Sequence, residues 1–336
     1  MPKKIIRVDA SALKGSACMR RLFLTCVEGY RSPKESNDLL YGTCFHKCVE
    51  VFAKTGNQSQ AFMEAVTHWD ENIEKCEVKY NAKYLNKEHL ISTLMRYFLE
   101  ARTNDIFTRC SYFKLGKETL AECKISIPMY SDSNVDILLQ GTIDGIFQIE
   151  GGCPCIGDWK TTRAKNPADY FYGYKMSTQL RTYFYAVSWY MENMPEHPLA
   201  VAFKSAPRLG TFIFGAFLSS DGVQFQRSQI FPFSKADMFL YERLMRKKLG
   251  DLLEAYENFR ISDGKVYPHP EGMINGACQE VFGSYCSFYD ACSSSVGLGD
   301  NADPLQLFEA ILNNRFTKRD YTPLDFGGGK EKKLSV

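Results

Sequence analysis

The order of hydrophobic periods along the 336-residue chain predicts an α/β fold, a mixed central sheet flanked by helices. Three observations predict it. Helical periodicity dominates from residue 9 to about 110, a period-two stretch rich in β-branched and aromatic residues runs from 119 to about 162, and helix and strand patterns then alternate as far as 259.

In chain order, DASALKGSACMRRLFLTCVEGY over 9–30 is a capped segment entering an amphipathic helix, with Leu22, Phe23 and Cys26 apolar beside Arg20 and Arg21. A second helix is expected to begin at Gly42-Thr43, with His46 in its first turn. The polar helical pattern continues from about 58 to 110, with Trp69, Leu90, Leu94 and Phe98 facing inward, and is treated as a helical insertion over about 55–115. The period then changes. TLAECKISIPM (119–129), VDILLQGTIDGIFQI (135–149) and CPCIGDWKTT after a Gly151-Gly152 turn form a three-strand meander. Asn166-Pro167 starts a helix, and KMSTQLRTYFYAVSWYM (175–191) is a longer one. Strands around TFIFGAFLSS and VQFQRSQIFPF follow, then a helix over 235–259. Past 260 the chain turns to Gly, Pro and Ser, with a short apolar helix near 304–314 and a GGGKEKKLSV tail expected to be mobile. The reading is one domain over 1–296, its last part (260–296) a cysteine-bearing segment, followed by an extension over 297–336.

Composition narrows the class without naming a function. Hydrophobic residues at 45% and charged residues at 24% are close to globular averages, which excludes wholesale disorder and a collagen-like or coiled-coil chain. Net charge is only +2, so a nucleic-acid partner would need a local basic groove rather than the field of the whole molecule. Arg243, Arg246, Lys247 and Lys248, or Arg20 and Arg21, could supply one, with tyrosines and phenylalanines stacking on bases. No stretch approaches the ~18 apolar residues of a membrane span, and the N-terminus lacks the apolar region of a signal peptide. The expectation is therefore an intracellular, cytoplasmic protein whose 12 cysteines are reduced thiols or metal ligands.

The chemistry concentrates in Asp158-Trp159-Lys160. On a strand, alternation sends Asp158 and Lys160 to one face and Trp159 to the other. Asp144 lies on the preceding strand. If the connection is Gly151, Gly152 and Cys153, Asp144 falls opposite Lys160 and the three side chains converge. A two-residue Gly-Gly turn would instead pair Asp144 with Trp159 and separate the aspartates, so convergence requires an odd-length loop or a bulge. Two close carboxylates call for a cation, and Mg²⁺ or Mn²⁺ with open coordination positions could take a phosphodiester and a water while a lysine steadies developing charge.

With these residues the chain resembles the RecB-like, AddB-type branch of the PD-(D/E)XK nucleases and the related phage exonucleases, from about Ser11 to Cys292. The resemblance implies a restriction-endonuclease-like core. Asp144 in GTIDGIF matches the family's first metal-binding aspartate, while Asp158 and Lys160 in IGDWKTT match the second acidic residue and the catalytic lysine. The Trp159 carbonyl would add a ligand. Gln179 and Tyr183 in STQLRTY match the glutamine and tyrosine of the helix after the site, and His46 in GTCFHKC matches a histidine that is commonly a metal ligand. Glu122 in LAECKIS aligns loosely with an acidic residue on the first strand, without an assigned role.

Cys278, Cys286 and Cys292 are separated by seven and five residues, a spacing that suits thiolates around an inorganic centre. In the AddB-type nucleases a cysteine near the N-terminus completes the set. Cys18 holds the matching place, so the resemblance implies a [4Fe-4S] cluster, with zinc as the competing occupant of four thiolates. Tying Cys18 to Cys278 would close a loop of about 260 residues, a staple rather than a redox centre.

G-x-x-x-x-G-K-[ST], HExxH and GxSxG are all missing, which argues against a helicase motor in this chain. The function expected is metal-dependent hydrolysis of DNA phosphodiesters, with single-stranded DNA entered from an end, in recombination, repair or replication. A helicase or recombination protein would be a fitting partner. The rival is a catalytically silent nucleic-acid-binding or scaffold protein that keeps the fold and the cluster.

Overall fold

The computed structural model describes residues 3–14, 17–32, 34–149, 152–204, 210–275, 277–278, 286–293 and 303–318. The principal elements in chain order are β1 (Lys4–Val8), α1 (Met19–Cys26), α2 (Asn37–Thr55), α3 (Gln58–Asn72), α4 (Lys87–Thr103), β2 (Ala121–Ser131), β3 (Val135–Ile149), β4 (Pro154–Thr162), α5 (Pro167–Gly173), α6 (Thr178–Asn193), β5 (Gly210–Ser219), β6 (Gly222–Arg227), α7 (Lys235–Ile261) and α8 (Pro304–Arg315). The tail expected to be mobile lies outside the described residues, as does Gly151.

By internal packing the chain divides into two units, one drawn from Met1–Pro33, Pro128–Leu139 and Met245–Val336, the other from Lys34–Ile127 and Gln140–Leu244. The first unit holds β1, which pairs in parallel with the Val135–Leu139 half of β3. The sequence reading passed over this strand, because KIIRV is short and carries two basic residues. Elsewhere in this unit, Leu24, Tyr30, Phe288, Phe308 and Leu312 form a small buried cluster with Cys286.

The second unit carries a mixed α/β layer. β4 runs antiparallel to β3 and parallel to β5, and β5 runs antiparallel to β6. The helices from α2 to α4 cover one face, where Phe45, Trp69, Leu90, Leu94 and Tyr97 form one cluster with Trp159, Phe214 and Phe225. Trp159 stacks on Phe214 at 4.4 Å between ring centroids, and such aromatic pairs contribute ~1 kcal/mol beyond their buried area.

α2 differs from its expected boundaries. It starts at Asn37, because the Ser36 hydroxyl accepts from the Leu39 N–H and caps the free amides. Gly42 is therefore an interior residue, and its reason is proximity: a Cβ there would sit 3.0 Å from Thr161 Oγ1. The missing side chain lets α2 lie against the end of β4, and His46 sits in the third turn rather than in the first. α6 likewise begins at Thr178 rather than 175, capped by Ser177, after a single 3₁₀ turn.

Candidate metal and catalytic site

The β3–β4 hairpin pairs Pro154 with Gln148 and Gly157 with Gly145. Ile149 N–H donates to the Cys153 carbonyl, which continues the pairing to Ile149 and Cys153. This register has the parity that convergence requires, but it lies two positions away from the one expected. The next pair after Gly157 and Gly145 is Asp158 beside Asp144, and Asp144 does not face Lys160. A shift of two preserves the face, so the aspartates and Lys160 still point the same way.

A third carboxylate joins the row. Ile146 N–H donates to the Leu120 carbonyl, and Gln140 Nε2 donates to Ser126 Oγ, which sets β2 antiparallel to β3 with Glu122 beside Asp144. Glu122, Asp144 and Asp158 thus lie side by side across β2, β3 and β4. Glu122 has φ +52°, the left-handed region that a residue with a side chain enters at a cost of ~1 kcal/mol or more. His46 comes down onto this row from α2, its Nδ1 3.4 Å from Asp144 Oδ2. Ligand atoms of His46, Glu122 and Asp144 lie within 4.8 Å of one another.

Asp158 is 0% exposed. Its Oδ2 is ion-paired with the Lys160 ammonium at 2.5 Å, while Oδ1 has no hydrogen-bond partner among the described residues. Asp144 is better served, since Oδ2 accepts from the Trp159 N–H at 2.7 Å.

The titrations follow from this crowding. Burial lifts the Asp158 carboxyl to about 6, with Lys160 only partly opposing it. Burial, then Asp144 and Glu50, pushes Glu122 up to about 8. Asp144 is also raised by burial. Burial and then Lys160 lower His46 to about 4, leaving a neutral imidazole at pH 7, the form that can ligate a metal. Burial disfavours the Lys160 ammonium, but the Asp158 and Asp144 carboxylates overcome it and hold its pKa above the ordinary value. A neutral histidine with three carboxylates, one of them buried with an oxygen that lacks a donor, is a donor set that fits a hard divalent cation.

Gln179 and Tyr183 meet each other on α6, Gln179 Nε2 donating to the Tyr183 hydroxyl at 2.7 Å. Burial and then the Asp158 and Asp144 charges raise the Tyr183 pKa, which puts its hydroxyl in the field of the carboxylate row. The predicted residues of this site are therefore brought together in the second unit. Glu122 is the residue to which the sequence assigned no role. Its parity on β2 was visible, but its register and its left-handed backbone were not.

A second group lies within the first unit. Cys278 and Cys286 are buried, and the Cys286 N–H donates to the Cys278 carbonyl at 2.8 Å. Gly272 leaves room between Cys18 and Cys278, since a Cβ there would sit 3.1 Å from both Cys18 Cβ and Cys278 Sγ. Burial raises the Cys292 thiol to about 11, Arg20 opposes this through its charge and a hydrogen bond, and Cys18 and Cys286 add to it. The Cys278 thiol feels burial, then Cys18 and Cys286, with Arg21 opposing. Arg20 is thus engaged at the thiols, and it also donates to the Pro268 carbonyl and lies 4.9 Å over the Phe308 ring.

A model of the PD-(D/E)XK nuclease superfamily matches residues 11–293. The chain belongs to that superfamily. The matched span contains the carboxylate row, Lys160 and the four cysteines, so this nuclease carries both groups inside its family domain. No curated protein matches significantly. Among solved structures, it is similar to one named "Putative exonuclease" from Eubacterium rectale, at 14% identity and TM-score 0.43, covering 89% of this chain and 91% of that one. It is also similar to the protein SSO0001, at 12% identity and TM-score 0.23, covering 71% of this chain and 83% of that one. At these scores neither likeness says what this chain acts on. No helix among the described residues is long and apolar enough to cross a membrane.

Proposed function

We propose that the protein is a Mg²⁺- or Mn²⁺-dependent deoxyribonuclease acting on single-stranded DNA from an end. The observation that carries this reading is the buried row of Glu122, Asp144 and Asp158 beside neutral His46 and charged Lys160. Like charges on neighbouring strands repel, and Lys160 offsets only part of three carboxylates, so a divalent cation would stabilise the row as an anion. His46, Asp144, Asp158 and the Trp159 carbonyl would hold it, and Glu122 extends the donor set. A bound divalent ion supplies Lewis-acid polarisation of the phosphodiester and lowers the pKa of water.

The chain's own residues do the rest. Lys160, kept charged by two carboxylates, orients the attacking water and offsets charge developing on the phosphoryl oxygens. The Gln179–Tyr183 pair presents a fixed polar edge toward the same place, suited to a phosphate oxygen. The N–H of Trp159 locks the Asp144 rotamer, which keeps the row in line.

The four thiols of Cys18, Cys278, Cys286 and Cys292, with Arg20 and Arg21 beside them, suit a [4Fe-4S] cluster that staples distant parts of the first unit; four thiolates would also suit zinc. Recombination, repair or replication, alongside a helicase, is the setting that fits such an enzyme. The test is digestion of end-labelled single strands with Mn²⁺ by wild type and Lys160→Ala. Loss of digestion in the variant supports the reading, and equal digestion by both, or none by either, defeats it.

A further inference from the structure

We infer that α5 and the turn after it form a stacking clasp for single-stranded nucleic acid beside the carboxylate row, with Tyr172 as the platform for a base and Lys175 and Arg181 as the phosphate contacts. The inference rests on the nuclease reading and deepens it. It starts from the burial pattern: α5 has no buried residue although it is rich in aromatics. Tyr172 is 69% exposed and Met176, in the turn that follows, is 77% exposed, the latter the highest value among the exposed large hydrophobics of the described residues.

Both are already bracketed by cations. The Lys175 ammonium lies 4.6 Å from the Tyr172 ring centroid, and an Arg181 guanidinium N–H points to the Met176 sulfur at 3.4 Å. Between 165 and 181 the chain carries Lys165, Lys175 and Arg181 against one acidic residue, Asp169. Flat apolar surfaces interleaved with cations match a single strand, in which π-faces alternate with phosphates. In a duplex the same π-faces are stacked away.

The clasp has a fixed position relative to the row. Tyr170, on the same helix, hydrogen-bonds through its hydroxyl to Tyr174 at 3.0 Å, and its ring packs on Phe217 of β5 at 5.5 Å. The Tyr170 hydroxyl also lies in the field of Lys160. The inner side of the helix is thus anchored by these contacts next to Lys160, while Tyr172 is turned to solvent.

The test uses full-length protein carrying Lys160→Ala, so that bound strands survive, and a single-stranded oligonucleotide with one 2-aminopurine. Binding is expected to quench the probe by stacking. Adding Tyr172→Ala should weaken binding roughly tenfold and abolish the quench, while Tyr172→Trp restores both. Lys175→Gln should lower the salt slope of binding by about one phosphate contact. Unchanged affinity and quench in Tyr172→Ala would overturn the clasp, as would equal losses for duplex and single strands. Binding alone decides this claim, whereas digestion by Lys160→Ala would sink the nuclease reading instead.

Discussion

Replacing Glu122 by glutamine should stabilise the metal-free protein at alkaline pH and weaken it toward a divalent cation. Glu122 goes from an ordinary value of 4.5 when unfolded to about 8 when folded. A raised carboxyl pKa means the folded state holds its proton longer, so stability is full below about 4.5 and is lost as pH rises toward 8. Each unit corresponds to about 1.4 kcal/mol; discounted for residual exposure, the shift is worth about 3 kcal/mol at pH 8.5. His46 acts in the opposite sense between about 4 and 6.5, because its lowered pKa makes the unfolded state the better proton binder there, so the cleanest window for Glu122 is pH 6.5 to 8. The assay is thermal melting after EDTA treatment at pH 5.5 and 8.5. Glu122→Gln should melt well above wild type at pH 8.5 and above it by less than half that margin at pH 5.5, and excess Mn²⁺ should reverse the order. An equal difference at both pH values would refute the electrostatic account of the row.

Three further outcomes are expected. Asp158→Asn should abolish cleavage of labelled strands and lower the melting temperature of the metal-free protein, since it takes from the buried Lys160 ammonium its nearest counter-charge; retained cleavage would contradict this. His46→Ala should weaken Mn²⁺ binding by about 10- to 100-fold by calorimetry with little change in melting temperature, and unchanged affinity would remove His46 from the ligand set. Cys286→Ala should lose iron, sulfide and visible absorbance together and lower the melting temperature, whereas stoichiometric zinc without iron would replace the cluster by a zinc site.

How far the sequence carried this account depended on the range of the interaction that sets each feature. The meander, α5 and most of α6 were legible, because alternation, helical periodicity and the Asn166 cap are local signals, whereas the Ser177 cap that starts α6 at Thr178 was passed over. That Asp144, Asp158 and Lys160 share a face followed from parity alone. Which residue faces Asp144 did not, since a hairpin register depends on where a three-residue loop begins, and the glycines allow two answers. α2 was placed too late because Gly42 reads as a boundary when it is a point of contact with Thr161. β1 was missed because a short strand with two basic residues has no pattern until it pairs with β3. Glu122 was seen but could not be weighed, as its approach to His46 depends on a backbone conformation that its residue type does not announce.

The most direct measurement is the Mn²⁺ dependence of single-strand cleavage by EDTA-treated protein, wild type against Asp144→Asn, with Mn²⁺ binding followed in parallel. Asp144 is the middle carboxylate of the row, so its loss should remove tight Mn²⁺ binding and cleavage together, while wild type regains both on titration. Tight binding and cleavage that survive in Asp144→Asn, or wild-type cleavage that persists in EDTA, would contradict a reaction built on these three strands.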